Sequence, residues 1–257
     1  MRDLLVVKCG EVLAPVRRVH GDYDRWFAGA LVPGLPLPSE AGLGRGLGPR
    51  ARLHVVAVHL GARLPDPRRF DAVIATGSPR SVLESAPWMS RAGDALLEAA
   101  ARGVPVLAVC FGHQLVAAAL GAPVRRSPRG RELGTISCTL TQAGLADPLF
   151  AGVPRTFEVQ ATHEDEVAIV PAGAEVLAGN AHSAIQAFRV GRRLHAVQFH
   201  PELSAAAVAA LVRARAPALE AEARGRGEDP AMRLATLLAG IRGTQWGERL
   251  LGNFLDA

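Results

Sequence analysis

Cys110 and a later His200-Pro201-Glu202 run are the residues of this sequence whose types and surroundings best suit joint chemistry. Cys110 follows a short apolar run, Val104–Val109. It precedes Phe111-Gly112-His113-Gln114 and an Ala/Leu-rich stretch, Leu115–Leu120. A buried strand that turns sharply into a helix exposes the turn residue at the carboxyl edge of the sheet, where open α/β sheets bind ligands. Hydrolase nucleophiles sit on the same kind of turn. The helix start adds unpaired N–H groups and a partial positive charge, which favour a thiolate and can meet a developing oxyanion. Gly112 removes a Cβ that would crowd the turn. A nucleophile needs a base, and in "AVQFHPELS", 196–204, an apolar run ends at His200. Pro201 stops the ladder there, and Glu202 can accept the second imidazole N–H, which sets the tautomer and stabilises the imidazolium. Cys110, His200 and Glu202 thus read as a set for nucleophilic acyl chemistry, whereas Cys9 and Cys138 read as buried small residues.

Strand-like runs at Leu4–Val7, Leu53–Val58, Ala72–Ala75, Val104–Val109, Ala168–Val170 and Ala196–Phe199 must position this set. Several are continuously apolar, as strands covered on both faces are. Helical patterns lie between some of them, at Ser90–Arg102 and at Leu115–Leu120, with Gly121 placed to close the second. The alternation predicts an α/β fold: a single domain over 1–257, with a mainly parallel central sheet and helices on both faces. A helical extension over about 213–257 follows, in which Asp229-Pro230 reads as a helix start. The segment 33–50 reads as a Pro/Gly-rich connector. Its "GLGRGLG", 42–48, lacks the Lys-Ser/Thr ending of a phosphate loop.

The formal charge is +5 and the sequence pI about 10.0. Lys8 is the only lysine, so 28 of the 29 basic residues are arginines. They are dispersed apart from pairs such as Arg125–Arg126 and Arg192–Arg193, and aromatics make up 5%. That supplies no stacking platform and argues against a nucleic-acid partner. No apolar run reaches the ~20 residues of a membrane span. The N-terminus reads as a first core strand rather than a signal peptide. Three scattered cysteines suit neither a disulfide framework nor a zinc site, and His54, His59, His113, His182 and His195 lack metal-like spacing. The expectation is a reduced, cytoplasmic protein that needs no metal or cofactor.

"CFGHQLVAAALG" together with "QFHPE" resembles the class I glutamine amidotransferases, with strand–C-x-G-x-Q–helix followed later by H-P-E. "DAVIATGSPRSV" (71–82), "RELG" (131–134) and "THEDEV" (162–167) resemble further segments of that family, and "GDYDRWF" and "GNFL" do so more weakly. The resemblance implies a flavodoxin-like domain and a γ-glutamyl substrate. Cys110 would attack the side-chain amide, ammonia or an amine would leave, and water would hydrolyse the thioester. His200 would move the protons while Glu202 orients it. The oxyanion would meet the backbone N–H of Phe111 and one from the loop of Gly77 and Ser78. Gln114, His163 and Asp165 would border the substrate. Many family members carry a second glycine where this chain has Ser78; if that position requires φ > 0, Ser78 is strained. The likeness is closest to GMP synthase-type domains and to stand-alone relatives including γ-glutamyl peptidases. No pyrophosphatase loop of the "SGGxDS" kind occurs. Three readings follow: a glutaminase feeding ammonia to a synthetase subunit in trans, a γ-glutamyl hydrolase acting on a peptide or conjugate, and a non-catalytic binding protein. The intact Cys110, His200 and Glu202 argue against the third.

Overall fold

The structure is a computed structural model and describes residues 2–31 and 51–256. The connector expected at 33–50 lies outside the described residues. The strands are β1 (Arg2–Lys8), β2 (Ala51–Ala57), β3 (Ala72–Ala75), β4 (Val106–Val109), β5 (Val124–Arg126), β6 (Glu132–Leu140), β7 (Thr156–His163), β8 (Asp165–Val167), β9 (Ala174–Gly179), β10 (Ala187–Val190) and β11 (Leu194–Val197). The helices are α1 (Ala14–His20), α2 (Tyr23–Leu31), α3 (Pro87–Ala101), α4 (Phe111–Ala119), α5 (Gln142–Ala146), α6 (Ala205–Ala214), α7 (Ala216–Gly225), α8 (Pro230–Gly240) and α9 (Trp246–Asp256).

Among the described residues one large sheet runs in the order β2-β1-β3-β4-β11-β10-β9-β6-β7, and β5 pairs with β8 apart from it. From β2 to β11 every neighbouring pair is parallel. From β11 to β7 every pair is antiparallel. The expected parallel sheet with helices is therefore present and carries an antiparallel wing. The continuous apolar runs have a simple cause. Alternate residues of each strand enter two cores: Leu4, Ile74, Leu107 and Val109 on one face, and Leu5, Val73, Ala75 and Val106 on the other. Among the described residues no helix is long and apolar enough to cross a membrane.

All the expected strands but one match observed strands within two residues at either end, and Pro105 delays the start of β4 to Val106. The exception is the run Ala168–Val170, which is not a strand. β8 ends at Val167, Ile169 is exposed and Pro171 follows, so the apolar pattern there marks the end of a short ribbon. Helix α3 begins before the expected Ser90, because Pro87 supplies the φ a first helical turn needs. Asp229 caps α8, its Oδ1 accepting from the Met232 N–H at 2.7 Å.

Helix α9 belongs to the main core, with Leu250, Leu251 and Phe254 buried against the same cluster as Phe157 and Phe199. Its Gly247 lies against the Pro201 carbonyl, so a Cβ there would overlap backbone. Gly247→Ala is expected to destabilise the fold by about 1–3 kcal/mol, read as a lower urea midpoint at unchanged slope. An unchanged midpoint would mean that α9 does not dock on the His-Pro-Glu loop.

Candidate active site

Cys110 occupies the single residue between β4 and α4, with φ 52° and ψ −100°. It is one of two non-glycine residues with positive φ among the described residues. A bulky residue at positive φ is strained, and such strain gathers at functional sites. The turn is held on both sides: the Cys110 N–H donates to Val197 O at 2.8 Å, and its carbonyl accepts the first helical bond from Gln114 N at 3.1 Å. The Phe111 and Gly112 N–H groups precede that bond and have no partner within the helix. A Cβ on Gly112 would lie 2.9 Å from the Ala75 carbonyl oxygen, so glycine lets α4 start directly against β3.

His200 enters from the parallel neighbour. β11 pairs with β4 in the register Val197↔Val109, and the chain reaches His200 at the same sheet edge. Its backbone N–H donates to Gln160 O on β7 at 2.8 Å. His200 Nδ1 and Glu202 Oε1 are 2.6 Å apart, both side chains fully enclosed, and Nε2 has no protein hydrogen-bond partner. Burial opposes the charged imidazole. The Glu202 carboxylate and a Cys110 thiolate favour it more strongly, so His200 is pushed up to about 10. Tyr23 of α2 stacks on the imidazole, with centroids 6.4 Å apart and an interplanar angle of 15°. Burial raises the Tyr23 phenol, and the neighbouring negative charge of Cys110 raises it further, so the phenol stays neutral. A Cβ on Gly77 would lie 2.8 Å from His200 Cε1, which explains a glycine after β3. Ser78 does not have positive φ, and the strain foreseen there is absent.

Of the other expected site residues, Ser78, Phe111, Gln114, His163 and Asp165 line one cavity of about 160 Å³ together with Cys110, whereas Gly77 does not line it. Gln114 is buried. Its Nε2 donates to Asp165 O at 2.9 Å and to Gln198 Oε1 at 3.1 Å, so that amide nitrogen ties α4 to its neighbours. His163 Nδ1 faces Asp165 O at 3.0 Å and Nε2 faces Glu132 Oε2 at 2.8 Å. Burial works against the Glu132 charge, but His163, Asn180 and Gln186 all approach its oxygens, and its carboxyl is held below the usual range. Asp165 Oδ2 accepts from Ser81 Oγ at 2.5 Å. His113 is fully buried against Phe188, and burial lowers it to about 3, so it is a neutral core residue.

Sequence reasoning missed Glu132, Tyr23, Thr162, Arg126, Arg131 and Arg215. Arg131, Glu132, Thr162 and Tyr23 lie inside segments noted for resemblance, but no local pattern marked them. Tyr23 is placed by Lys8, the sole lysine, which bonds Asp22 at 2.8 Å and Asp24 at 3.0 Å. Asp22 in turn accepts from the Tyr23 N–H at 2.9 Å. Among the described residues no three His, Cys, Asp or Glu side chains gather as a metal site.

Residues 50–211 match the family model of the class I glutamine amidotransferases. The GMP synthase (glutamine-hydrolysing) of Parafrankia is 40% identical over 139 residues, 53% of this chain and 24% of that protein. In Saccharolobus solfataricus a separate subunit of the GMP synthase (glutamine-hydrolysing) is 35% identical over 137 residues, 53% of this chain and 69% of its own length. The match thus spans about a quarter of the whole GMP synthase and two thirds of the separate subunit. A glutamine amidotransferase from Thermotoga maritima shares the fold across 100% of this chain and 99% of its own, with TM-score 0.66 and 18% identity. One from Methylobacillus flagellatus does so at TM-score 0.67 and 21% identity. The chain belongs to the class I glutamine amidotransferase family and is an enzyme of that type.

Cys110 is expected to alkylate fastest of the three cysteines near neutral pH. Burial pushes Cys9 up to about 12 and raises Cys138 as well, leaving both as unreactive thiols. His200→Ala should slow Cys110 labelling by roughly tenfold or more, because the imidazolium no longer supports the thiolate. Mass-spectrometric mapping after brief iodoacetamide treatment reads both effects, and faster labelling of Cys9 or Cys138 would contradict the assignment.

Proposed function

We propose that this chain hydrolyses γ-glutamyl amides through Cys110, His200 and Glu202, by way of a γ-glutamyl thioester, with release of ammonia or an amine. The observation that carries the reading is the meeting of a positive-φ cysteine at a strand–helix turn with a carboxylate-bound histidine at the same sheet edge. The thiolate attacks the γ-carbonyl carbon, and the oxyanion meets the Phe111 N–H and an N–H of the Gly77–Ser78 loop. The protonated His200 delivers its proton to the leaving nitrogen as the C–N bond breaks. Neutral His200 then takes one proton from water, which attacks the thioester; the C–S bond breaks to return the thiolate, and the γ-carboxyl group gives its remaining proton to solvent or to the released ammonia or amine. Glu202 keeps Nδ1 bonded so that Nε2 serves both steps. Gln114, His163 and Asp165 border the γ-glutamyl group.

The Saccharolobus relative is named as one subunit of a GMP synthase, which supports delivery of ammonia to a synthetase partner as one use of the reaction. Hydrolysis of a γ-glutamyl peptide or conjugate is the other, and it uses the same acyl chemistry with a different leaving amine. Steady-state kinetics on the isolated chain decide between them. We expect turnover of at least one γ-glutamyl compound at about 1 s⁻¹ or more without partner or nucleotide. A chain inert on glutamine, γ-glutamyl dipeptides and glutathione conjugates, yet activated by an ATP-dependent synthetase, would favour the subunit role. Cys110→Ser should abolish turnover while leaving the far-ultraviolet circular dichroism unchanged; near wild-type turnover would remove Cys110 as nucleophile.

The pH dependence follows from the His200 shift. Turnover should persist into alkaline pH and fall as the imidazolium is lost near about 10. Glu202→Gln removes the main charge favouring the imidazolium, so its alkaline limb should move to lower pH. The same shift is a stability term. The folded protein holds the proton up to about 10, whereas the unfolded chain releases it near ~6.5. The stabilisation is therefore full below ~6.5 and is lost as pH rises through the folded value. An alkaline limb identical in wild type and Glu202→Gln would overturn this account.

A further inference from the structure

Four arginines line the cavity that opens onto Cys110: Arg80, Arg126, Arg131 and Arg215. Three already have carboxylate partners. Arg80 pairs with Glu84 at 2.5 Å, Arg126 with Glu164 and Asp165, and Arg131 with Glu164 and Glu222. Arg215 forms no ion pair with any of the described residues. Its Nη1 donates to the hydroxyl oxygen of Thr162, a neutral acceptor. Glu222, a carboxylate whose charge reaches it, is instead bonded to Arg131 at 3.0 Å.

The position of Arg215 is built rather than accidental. It is the single residue between α6 and α7, where Pro217 in the first turn of α7 prevents one continuous helix. Its backbone N–H bonds Leu211 O and Val212 O at 3.0 and 3.2 Å, which fixes the direction in which the side chain leaves. The guanidinium is partly buried, and burial penalises its charge; a Cys110 thiolate offsets this in part, while Arg131 adds to the penalty. A partly buried guanidinium with several N–H donors that bond no described residue, in the same cavity as the nucleophile and without a counter-charge, is placed to bind an anion. The planar fork suits a carboxylate in bidentate contact. Arg215 also lies beyond residue 211, the end of the stretch matched by the family model.

We propose that Arg215, held by Thr162, is a subsite for a carboxylate of the substrate and so determines which acyl compounds reach Cys110. The capacity to bind an anion stands on the cavity itself; only the identity of the carboxylate rests on the γ-glutamyl reading. A γ-glutamyl group carries an α-carboxylate, and a γ-glutamyl amino acid carries a second one on its leaving amine. Either would give Arg215 its missing partner.

The test compares Cys110 alkylation by iodoacetate and by iodoacetamide in wild type, Arg215→Met and Arg215→Lys. The two reagents share one reaction at sulfur, so the ratio of their rates cancels any change in thiolate reactivity and reports attraction for the carboxylate. A charge-assisted bond implies that the ratio falls roughly tenfold in Arg215→Met and recovers in part in Arg215→Lys. Should Arg215→Met fail to fold, Arg215→Gln takes its place.

Kinetics then assign the source. A rise in KM, with kcat little changed, on glutamine and γ-glutamyl methylamide but not on glutamine α-amide identifies the α-carboxylate. A rise confined to a γ-glutamyl amino acid identifies the carboxylate of the leaving amine. If wild type cleaves none of these but the alkylation ratio still falls in Arg215→Met, the anion subsite stands and the γ-glutamyl reading fails. A ratio and a KM unchanged in folded Arg215→Met overturn the proposal.

Discussion

The parallel pairing of β4 with β11 is the constraint on which the site depends. In the register Val109↔Val197 the Cys110 N–H reaches Val197 O at 2.8 Å, so the nucleophile's turn is pinned by the strand that delivers the histidine. Parallel neighbours run out at the same sheet edge, which is why Cys110 and His200 meet although 90 residues separate them. β3, parallel to β4 on its other side, brings the Gly77 loop to that edge. A shift of one residue in either pairing would turn every side chain to the opposite face, exchanging the two cores as well as moving the site. The two apolar faces therefore hold the register, and the register holds the chemistry.

Charge is distributed around this edge so that few ionised groups stand alone. Glu202 sits fully enclosed, with one oxygen 2.6 Å from His200. Glu132 gathers His163, Asn180 and Gln186, and so braces the junction of β7 with β8, which carries Asp165. Enclosed carboxylates of this kind are tolerable only when hydrogen bonds replace the lost water. The second Glu202 oxygen has no hydrogen-bond partner among the described residues, and Arg215, a cation in the cavity wall, is matched only by a hydroxyl oxygen.

The walls of the site come from parts of the chain remote from the motif. Lys8, at the end of β1, holds Asp22 and Asp24, and these fix the start of α2 and hence Tyr23 against His200. Helix α9 packs under the His200-Pro201-Glu202 loop through Gly247. The α6–α7 junction brings Arg215 to the cavity. The stretch shared with the family ends at residue 211. The nucleophile and its base thus lie within the common part, while Tyr23, Gly247 and Arg215, which shape access and support, lie outside it.

The sequence by itself determined what depends on neighbours along the chain. Cys110 at a strand–helix junction, Gly112 beside it, the His-Pro-Glu ending, the buried apolar runs of the parallel half and the Asp229-Pro230 helix start all rest on local backbone chemistry, and each was legible. The antiparallel wing was not, because strands such as β6 bury residues unevenly and show no clean alternation. The apolar run at 168–170 misled for the opposite reason: its pattern suits a strand, but after the Ala168 N–H bonds Pro123 O at 2.9 Å no further strand pairing follows. Only the tertiary structure decided that Glu132 meets His163 across 31 residues, that Tyr23 lies on His200, and that Arg215 faces Cys110 without a carboxylate partner. These are contacts between distant segments, set by sheet order and helix docking, and a side chain carries no local mark of the partner it will meet.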